Sequence, residues 1–236
     1  MTQPRLFIFP HAGGSAQYYV PFAKTFTMDV KRTAVQYPGQ RGKQDFASFT
    51  SLPALADEVL KMVSPDTVGA DGAPVFFFGH SMGGLLAFEV ARRFEAAGRP
   101  ISALFVSAVA APGHVGYEDI PDDDEGLLAA VSTMTGANPE FMKNPEFAAA
   151  ILPTLRGLKA IASYSCPPEV TLTGPIHAYF GDDDEIATAE KVKPWADRTR
   201  AEFTARELPG HHFYLNEQLG EVVPDIEAKI RAVTAG

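Results

Sequence analysis

A serine lies among glycines in residues 79–84 (GHSMGG), an arrangement that can make a hydroxyl group reactive. An apolar, strand-like run at residues 75–78 comes directly before it, and a helix-like stretch begins directly after it at Leu85. A serine at such a strand-to-helix turn is lifted out of the sheet, and the glycines leave room for the sharp bend. The start of the helix adds a partial positive charge that favours an oxyanion. The sequence therefore predicts that Ser81 is a nucleophile, and the alternative is a glycine-rich turn with a surface serine.

A nucleophilic serine needs a histidine as its base and an acid that orients the histidine. After a serine of this kind, the acid and then the histidine follow along the chain. The loop at residues 209–213 (PGHHF) follows a strand-like run, so either His211 or His212 is a candidate base. Residues 181–185 (GDDDE) follow the preceding strand-like run and offer four adjacent acids. The residues alone leave both choices open. An acidic helix start or a cation site are alternatives for the acids, although the run lacks the spacing of a calcium loop.

The loop after the first strand-like run supplies a candidate for a second oxyanion donor. Residues 9–15 (FPHAGGS) contain two glycines, which allow a backbone to approach a ligand closely. We predict that the main-chain N–H groups of Ala12 and Met82 bind the oxyanion. The alternative is a plain strand-to-helix turn with Ser15 as the N-cap.

Strand-like and helix-like stretches alternate along the chain and predict the scaffold for these residues. The strand-like runs are residues 6–9, 30–37, 74–78, 104–109, 176–180 and 203–208. The helix-like stretches are residues 18–26, 52–63, 85–97 and 187–198, together with the stretch after Glu221. This alternation predicts an α/β fold, with a mostly parallel central sheet flanked by helices, in a single domain over residues 1–236.

The alternation stops between residues 113 and 168, where no strong strand signal occurs. Two helix-like stretches lie here, at residues 126–134 and 144–164, and the second has apolar residues at helical spacing. We predict a helical lid insertion over residues 113–168, because elements at the strand ends bind ligands in such folds. Phe147, Ile151 and Leu155 are candidates for lining the substrate channel, and ordinary helical packing is the alternative.

Composition narrows the possible functions. The chain has 236 residues, of which 46% are hydrophobic and 21% charged, and its net charge is −9. No basic run marks a nucleic-acid binder, and no apolar run approaches the ~18 residues of a membrane span. The N-terminal residues lack the pattern of a signal peptide, and the single cysteine, Cys166, excludes an internal disulfide and a multi-cysteine metal site. We expect a soluble, cytoplasmic protein in which Cys166 is structural.

Five motifs in this order resemble the type II thioesterases, which are stand-alone α/β-hydrolases that serve polyketide synthases and non-ribosomal peptide synthetases. The motifs are residues 9–14 (FPHAGG), 37–39 (YPG), 79–84 (GHSMGG), 181–184 (GDDD) and 210–213 (GHHF). The likeness runs from Leu6 to the C-terminus. Residues 37–40 (YPGQ) and 163–168 (SYSCPP) are similar to actinobacterial members tied to lipid polyketides such as phthiocerol esters.

The resemblance implies which acid and which histidine act. The family pattern of glycine followed three residues later by aspartate falls on Asp184, and its Gly-x-His-Phe pattern falls on His212. His211 then becomes a bystander. The implied reaction is the hydrolysis of acyl or aminoacyl thioesters, in which Ser81 attacks the thioester carbonyl. The resemblance implies no metal and no other cofactor. It also implies that the channel lined by Phe147, Ile151 and Leu155 would hold the acyl chain of the substrate.

The resemblance also implies the partners, which are carrier domains that bear a phosphopantetheine arm, and a role in editing or product release. Carrier domains are acidic, as is this chain, so docking must use local positive charge. Arg41 and Lys43 are candidates for flanking the carrier entrance, and solvated loop charges are the alternative. We expect a monomer. The first rival function is that of a carboxylesterase, lipase or acyltransferase of the same fold, and the second is that of a catalytically silent binding protein.

Overall fold

A computed structural model describes residues 2–12, 14–38, 51–66, 68, 71–115, 121, 123–135, 138–149, 151–152, 155 and 164–235. Within these residues six strands form one sheet, in which every neighbouring pair is parallel. The strands are β1 (Arg5–Phe9), β2 (Lys31–Ala34), β3 (Val75–His80), β4 (Ala103–Ser107), β5 (Ile176–Gly181) and β6 (Phe203–Leu208). Their order across the sheet is β2-β1-β3-β4-β5-β6. The predicted α/β fold with a mostly parallel sheet is confirmed.

Two strands are shorter than predicted, and the local backbone explains both differences. The run at residues 30–37 is a strand only over Lys31–Ala34, since its partner β1 ends at Phe9 and the following Pro10 has no N–H to donate. The run at residues 104–109 ends as a strand at Ser107, because Ala108 has a φ of 49° and turns the chain.

Helices lie on both faces of the sheet, and two more helices belong to the segment between β4 and β5. The helices are α1 (Val20–Thr25), α2 (Leu52–Met62), α3 (Met82–Ala96), α4 (Asp124–Thr135), α5 (Pro139–Met142), α6 (Ala189–Val192) and α7 (Leu219–Thr234). The prediction of one helix over residues 187–198 is wrong, because α6 is followed by a 3₁₀ helix at Lys193–Arg198. Pro194 cannot donate the hydrogen bond that would continue an α-helix.

The central strand β3 is buried on both faces and separates two hydrophobic clusters. Phe77 belongs to the cluster that includes residues of α2 and α3, whereas Phe76 and Phe78 belong to the cluster that includes residues of α1 and α7. Because alternate side chains of a strand point to opposite faces, a continuous apolar run is what a covered parallel strand requires. This packing fixes the carboxyl end of β3, which Ser81 follows.

The strand order changes direction between β1 and β3. The chain leaves β1 to form β2 on one side and then returns to form β3 on the other side. Open α/β sheets bind ligands at the carboxyl ends of the strands at such a point. The loop that begins at Pro10 and the turn that holds Ser81 both lie at this crevice.

Helices α4 and α5 lie between β4 and β5, within the segment predicted to be a lid. Helix α4 covers the predicted residues 126–134, whereas α5 has no counterpart in the sequence prediction, and a further helical stretch covers residues 145–149. A third hydrophobic cluster, the insertion cluster, is formed by Leu127, Val131, Met142, Leu152 and Leu155. The described part of the insertion thus has its own small core, and its action as a lid stays a prediction.

The half-buried Cys166 carries a free thiol and packs against the cluster that includes residues of α2 and α3. None of the helices in the described part of the chain is both long and apolar enough to cross a membrane.

The buried imidazole of His177 in β5 makes the stability of the fold depend on pH. It stacks on Phe105 with ring centroids 5.4 Å apart, and its Nδ1 lies 2.8 Å from Thr204 Oγ1. Burial, followed by repulsion from Lys229, lowers the pKa of His177 to about 4, although Asp225 opposes the shift. The unfolded chain, in which this pKa returns to its ordinary 6.5, binds the proton more strongly. The free energy of unfolding therefore rises with pH across this interval.

We expect His177→Gln to flatten this dependence by about 3 kcal/mol between pH 7 and pH 4, because glutamine does not take up the proton. Glutamine keeps a polar group near Thr204, but its different shape can change the free energy of unfolding at every pH. The test therefore compares how that free energy changes with pH and not its absolute value. Urea unfolding of both proteins at several pH values measures the slope of the free energy with pH. The same slope in both proteins would contradict the prediction.

Candidate active site

Ser81 lies in a strained turn between β3 and α3. Its φ and ψ are 55° and −131°, a region that non-glycine residues rarely adopt. Its N–H donates to the Ser107 carbonyl at 2.7 Å, which ties the turn to the end of β4. A Cβ on Gly79 would lie 2.2 Å from the Gly83 carbonyl oxygen, and a Cβ on Gly83 would lie 2.1 Å from the Phe9 carbonyl oxygen. Glycine is therefore required on both sides of the serine.

Three side chains from three loops meet at this edge of the sheet. His212 Nε2 lies 2.9 Å from Ser81 Oγ, and His212 Nδ1 lies 2.9 Å from Asp184 Oδ2. All three residues are buried. They follow β3, β5 and β6, so the parallel strands deliver them to the same edge. Such an arrangement can move a proton from the serine hydroxyl to an imidazole that a carboxylate orients.

Asp184 is held as an anion beside His212. Its Oδ1 accepts hydrogen bonds from the N–H groups of Ile186 and Ala187 at 2.9 and 3.0 Å, while Oδ2 faces the imidazole. Burial by itself raises the pKa of Asp184. The hydrogen bonds and the charge of His212 outweigh burial, so this pKa lies below its ordinary value.

The neighbouring acids have other partners. Asp182 accepts a hydrogen bond from the Gly210 N–H at 2.9 Å, and Asp183 Oδ2 lies 2.9 Å from His211 Nδ1. The side chains of His211 and Asp183 are 69% and 70% exposed, whereas those of His212 and Asp184 are 4% and 0% exposed. The structure therefore brings His212 to Ser81 and leaves His211 at the surface.

The loop after β1 is held by a buried tyrosine hydroxyl. Tyr19 Oη accepts a hydrogen bond from the His11 N–H at 3.2 Å and lies 2.8 Å from His11 Nδ1. Because Tyr19 is buried, its hydroxyl proton is satisfied by donation to Nδ1, which puts the proton of the neutral ring on Nε2. Burial, followed by repulsion from His212, lowers the pKa of His11 to about 4, so this ring is neutral at pH 7.

The two predicted oxyanion donors lie on backbone segments that pack against each other. The carbonyls of Phe9 and Pro10 face Gly83 so closely that no Cβ fits between them. Ala12 follows on the first segment, half-buried against the cluster that includes residues of α2 and α3. Met82 is the first residue of α3, so its N–H has no acceptor within the helix.

Helix α4 borders the site. A cavity of about 130 Å³ is lined by Thr133 of α4 together with Asp183, Asp184, Glu185, Ile186, His211 and His212. Other residues of α4 line a second cavity of about 520 Å³, with α5 on its far side; the lining residues are Glu125, Leu128, Ala129, Ser132, Pro139, Met142 and Lys143. One helix therefore contributes to both cavities.

The predicted channel residues lie in or against the insertion cluster. Leu155 is a buried member, and Phe147 and Ile151 are partly buried and pack against it. The rings of Phe147 and Phe141 lie 4.6 Å apart. These contacts agree with packing inside the insertion and leave the channel role a prediction.

The other predicted site residues, Arg41 and Lys43, lie outside the described residues. In the part of the chain that the structure describes, no group of three or more histidine, cysteine, aspartate or glutamate side chains is placed to hold a metal ion.

Sequence reasoning missed three hydroxyl residues that hold the loops of the site, namely Tyr19, Ser107 and Tyr214. Ser107 Oγ lies 2.7 Å from Tyr214 Oη and 2.9 Å from His80 Nδ1. Ser107 ends the strand next to β3, and Tyr214 follows His212 by two residues, so the position of strand ends was a usable signal for both. The sequence carries no comparable signal for Tyr19.

Comparison with known proteins finds relatives over almost the whole chain. The family model described as the thioesterase domain matches residues 4–230. The thioesterase TesA of Mycobacterium leprae is 54% identical over 229 residues, which are 97% of this chain and 87% of that protein.

Solved structures give the same picture. The type II thioesterase BorB from the borrelidin biosynthetic cluster has a TM-score of 0.81 and 36% identity, and the likeness covers 98% of this chain and 94% of that one. YbtT, a type II thioesterase from the yersiniabactin NRPS/PKS biosynthetic pathway, has a TM-score of 0.78 and 26% identity over the same shares. Both likenesses extend over nearly all of the chain.

Proposed function

This chain belongs to the thioesterase family as a type II thioesterase, a thioester hydrolase of the α/β-hydrolase fold, and we propose that Ser81, His212 and Asp184 are its catalytic triad. Its proposed substrates are acyl or aminoacyl groups on the phosphopantetheine arm of carrier domains. The family expected from the five sequence motifs is confirmed. The observation that carries the proposed triad is the pair of 2.9 Å contacts that join Ser81 Oγ through His212 to Asp184.

Acylation follows from these contacts. The anionic Asp184 keeps the proton of His212 on Nδ1, so Nε2 accepts the hydroxyl proton of Ser81 as Oγ attacks the thioester carbonyl. The tetrahedral intermediate then collapses with cleavage of the C–S bond, and His212 gives its proton to the departing thiolate. The products of this step are acylated Ser81 and a free pantetheine thiol.

The oxyanion of the tetrahedral intermediate is proposed to lie between the N–H groups of Ala12 and Met82. The N-terminus of α3 favours the negative charge there, and loss of one such donor typically costs roughly 10²–10³ in rate. The Tyr19 hydroxyl supports this arrangement, because it fixes the N–H and the ring of His11 directly before Ala12.

Deacylation runs through the same groups. A water molecule replaces the departed thiol, and His212 Nε2 takes a proton from it as its oxygen attacks the acyl carbonyl. Collapse of the second tetrahedral intermediate releases the free acid, and the proton on Nε2 returns to Ser81 Oγ. The enzyme is thereby regenerated without a net change in its protonation.

The proposed partners are the carrier domains of a polyketide synthase or a non-ribosomal peptide synthetase. The name of YbtT, which refers to an NRPS/PKS pathway, supports this assignment. Editing of stalled groups or product release, in a pathway that makes a lipid polyketide, is the proposed role. Arg41 and Lys43 are proposed to flank the carrier entrance, and the enzyme is proposed to act as a monomer in the cytoplasm, where it meets carrier-bound intermediates.

The acyl chain is proposed to lie along the insertion, with residues 113–168 as its lid. Helix α4 supports this proposal, because Thr133 borders the cavity beside His212 while Leu128 and Ala129 border the larger cavity. An acyl chain gains about 25 cal/mol for each Å² of apolar surface that it buries there. Phe147, Ile151 and Leu155 belong to the proposed apolar wall.

The test compares one acyl group in three contexts: on a holo carrier protein, on a pantetheine-like thiol and as an oxygen ester. We expect the highest kcat/KM for the carrier-bound thioester, and a loss of turnover by a factor of about 10⁴ or more for each of the three in Ser81→Ala. A preference for the oxygen ester would replace the carrier-directed function by that of a general carboxylesterase. Absence of turnover of all three by the wild-type protein would favour a silent binding protein.

Gly181, at the end of β5, is required for the position of the loop that carries His212. A Cβ on Gly181 would lie 2.0 Å from the Gly210 carbonyl oxygen and 2.7 Å from the His211 carbonyl oxygen. We expect Gly181→Ala to push this loop away from Ser81 and to lower kcat/KM by roughly 100-fold, because a displacement of about 1 Å can cost that much.

Gly220→Ala is the matched control for Gly181→Ala. Gly220 lies in α7, and a Cβ there meets nothing within 4 Å. Alanine favours a helix over glycine, so this variant keeps full activity and gains a little stability. Hydrolysis of a pantetheine thioester and thermal unfolding, measured on both variants, test the prediction. Equal activity of the two variants would be the contrary result.

A further inference from the structure

A buried chain of three polar side chains crosses from the nucleophile turn to the histidine loop. His80 Nδ1 lies 2.9 Å from Ser107 Oγ, and Ser107 Oγ lies 2.7 Å from Tyr214 Oη. The exposed fractions are 1% for His80, 0% for Ser107 and 2% for Tyr214. We call this chain the polar clamp. None of its side chains has a role in the proposed acylation and deacylation steps.

The direction of the hydrogen bonds in the polar clamp follows from burial and from the acidity of the two hydroxyl groups. If Tyr214 donates to Ser107 Oγ and Ser107 donates to His80 Nδ1, both hydroxyl protons have an acceptor. A tyrosine hydroxyl is more acidic than a serine hydroxyl, so Tyr214 is the better donor of the two and Ser107 the better acceptor. The first direction is therefore favoured, and it requires a neutral His80 whose Nδ1 accepts.

The surroundings of His80 keep it neutral. Burial, followed by repulsion from His212 and His11, holds the pKa of His80 well below its ordinary value. A backbone hydrogen bond with His212 opposes the shift without cancelling it, and Nδ1 is the ring atom that contacts Ser107. Protonation of Nδ1 would turn the acceptor into a donor and reverse the chain, and the low pKa prevents this at pH 7.

The polar clamp joins the two loops that carry the proposed nucleophile and base. The Ser107 carbonyl accepts the N–H of Ser81 at 2.7 Å, while Ser107 Oγ holds Tyr214. The Tyr214 N–H donates to the His211 carbonyl at 2.9 Å, so the tyrosine closes the short turn that contains His212. Ser107 therefore bonds directly to Ser81 and, through Tyr214, holds the turn that carries His212.

We propose that Ser107 and Tyr214 are positioning residues that keep His212 in place while Ser81 is acylated. The inference rests on the proposed function. In the free enzyme the Ser81 hydroxyl donates to His212 and helps to hold it. In the acyl-enzyme Oγ is an ester oxygen with no proton, so that hydrogen bond is lost. Asp184 still orients the ring, and the polar clamp keeps the loop at its distance from β3 for the attack of water.

The proposal predicts an unequal effect on the two half-reactions. We expect Tyr214→Phe to lower the deacylation rate by roughly 10- to 100-fold and the acylation rate by much less, because small displacements of a catalytic group have effects of this size. The variant should then accumulate acylated Ser81 and show a burst of thiol release with an acyl-pantetheine thioester. Stopped-flow thiol detection and intact-mass measurement follow the two steps.

Tyr179→Phe is the matched control. Tyr179 is also a buried tyrosine and pairs with Ser107 across β4 and β5, but its hydroxyl donates to Asp225 Oδ2 at 2.6 Å and takes no part in the polar clamp. Loss of this hydroxyl should lower stability without a burst. Ser107→Ala should reproduce the burst, and the double variant with Tyr214→Phe should be no slower than the slower single variant, because both remove the same link.

The outcomes separate the inference from the function on which it rests. Equal slowing of acylation and deacylation by Tyr214→Phe, or an equal burst in Tyr179→Phe, would overturn the positioning role. Multiplication of the two effects in the double variant would also overturn it. Acylation of the wild-type protein at a residue other than Ser81 would instead remove the proposed triad. Thermal unfolding of each variant identifies any loss that comes from misfolding.

Discussion

Replacing Ser81 with alanine is expected to lower kcat for thioester hydrolysis by a factor of about 10⁴ or more, because the attacking oxygen is removed from an otherwise intact site. The turn around residue 81 is held by its N–H bond to the Ser107 carbonyl and by the close packing of Gly79 and Gly83. None of these contacts uses the hydroxyl group. The variant should therefore fold normally and should no longer react with a fluorophosphonate probe, which labels an activated serine.

Ser102→Ala is the matched control for this substitution. Ser102 precedes β4 at the opposite end of the sheet, where its N–H donates to the Val75 carbonyl at 2.6 Å. Its hydroxyl is far from the proposed triad, so kcat and probe labelling should equal those of the wild-type protein. Full hydrolytic activity in Ser81→Ala would mean that another group attacks the thioester, and the proposed triad would then be wrong.

The substitution Asp184→Asn is expected to lower kcat at pH 7 by a factor of about 10⁴, through the wrong tautomer of His212. The amide oxygen can replace Oδ1 as the acceptor for the N–H groups of Ile186 and Ala187. The amide nitrogen then faces His212 Nδ1 and donates to it, which moves the ring proton to Nε2. In that tautomer Nε2 cannot accept the proton of Ser81.

Asp183→Asn separates this orienting role from a general effect of charge. Both substitutions remove one negative charge from the same loop, but the side chain of Asp183 is exposed and pairs with the exposed His211. Exposed pairs of this kind are worth only about 0–1 kcal/mol, so kcat should change little. The measurement is kcat for a pantetheine thioester with both variants at pH 7. A comparable loss of kcat in Asp183→Asn would mean that Asp184 is not the specific orienting acid.

The sequence by itself determined the sheet and the place of the nucleophile. Residues 75–78 are apolar without interruption, which is the pattern of a strand covered on both faces, and GHSMGG follows at once. Both signals are local, because they depend on the types of adjacent residues and not on distant contacts. The first and last residues of the helices were harder to predict from the sequence. The single helix predicted over residues 187–198 is interrupted at Pro194, although that proline is visible in the sequence.

The base and the acid of the site were only partly predictable from the sequence. His211 and His212 are neighbours of the same chemical type, and so are the aspartates at residues 182–184. Composition and spacing could not separate them, and the family resemblance was needed to favour His212 and Asp184. In the fold, the turns after β5 and β6 direct one member of each set inward and the others to the surface or to the backbone.

Only the tertiary structure decided how the loops of the site are held together. The polar clamp joins residues that are 27 and 107 positions apart, and the contact between Ser81 and His212 spans 131 positions. A single sequence records residue types but not which of them meet across the sheet. The hydrogen bonds at Ser107 and the approach of Gly181 to Gly210 exist only after parallel strands bring their carboxyl ends to one edge. The sequence therefore predicted the residues that carry the local chemistry, whereas the contacts that position them across the sheet exist only in the folded chain.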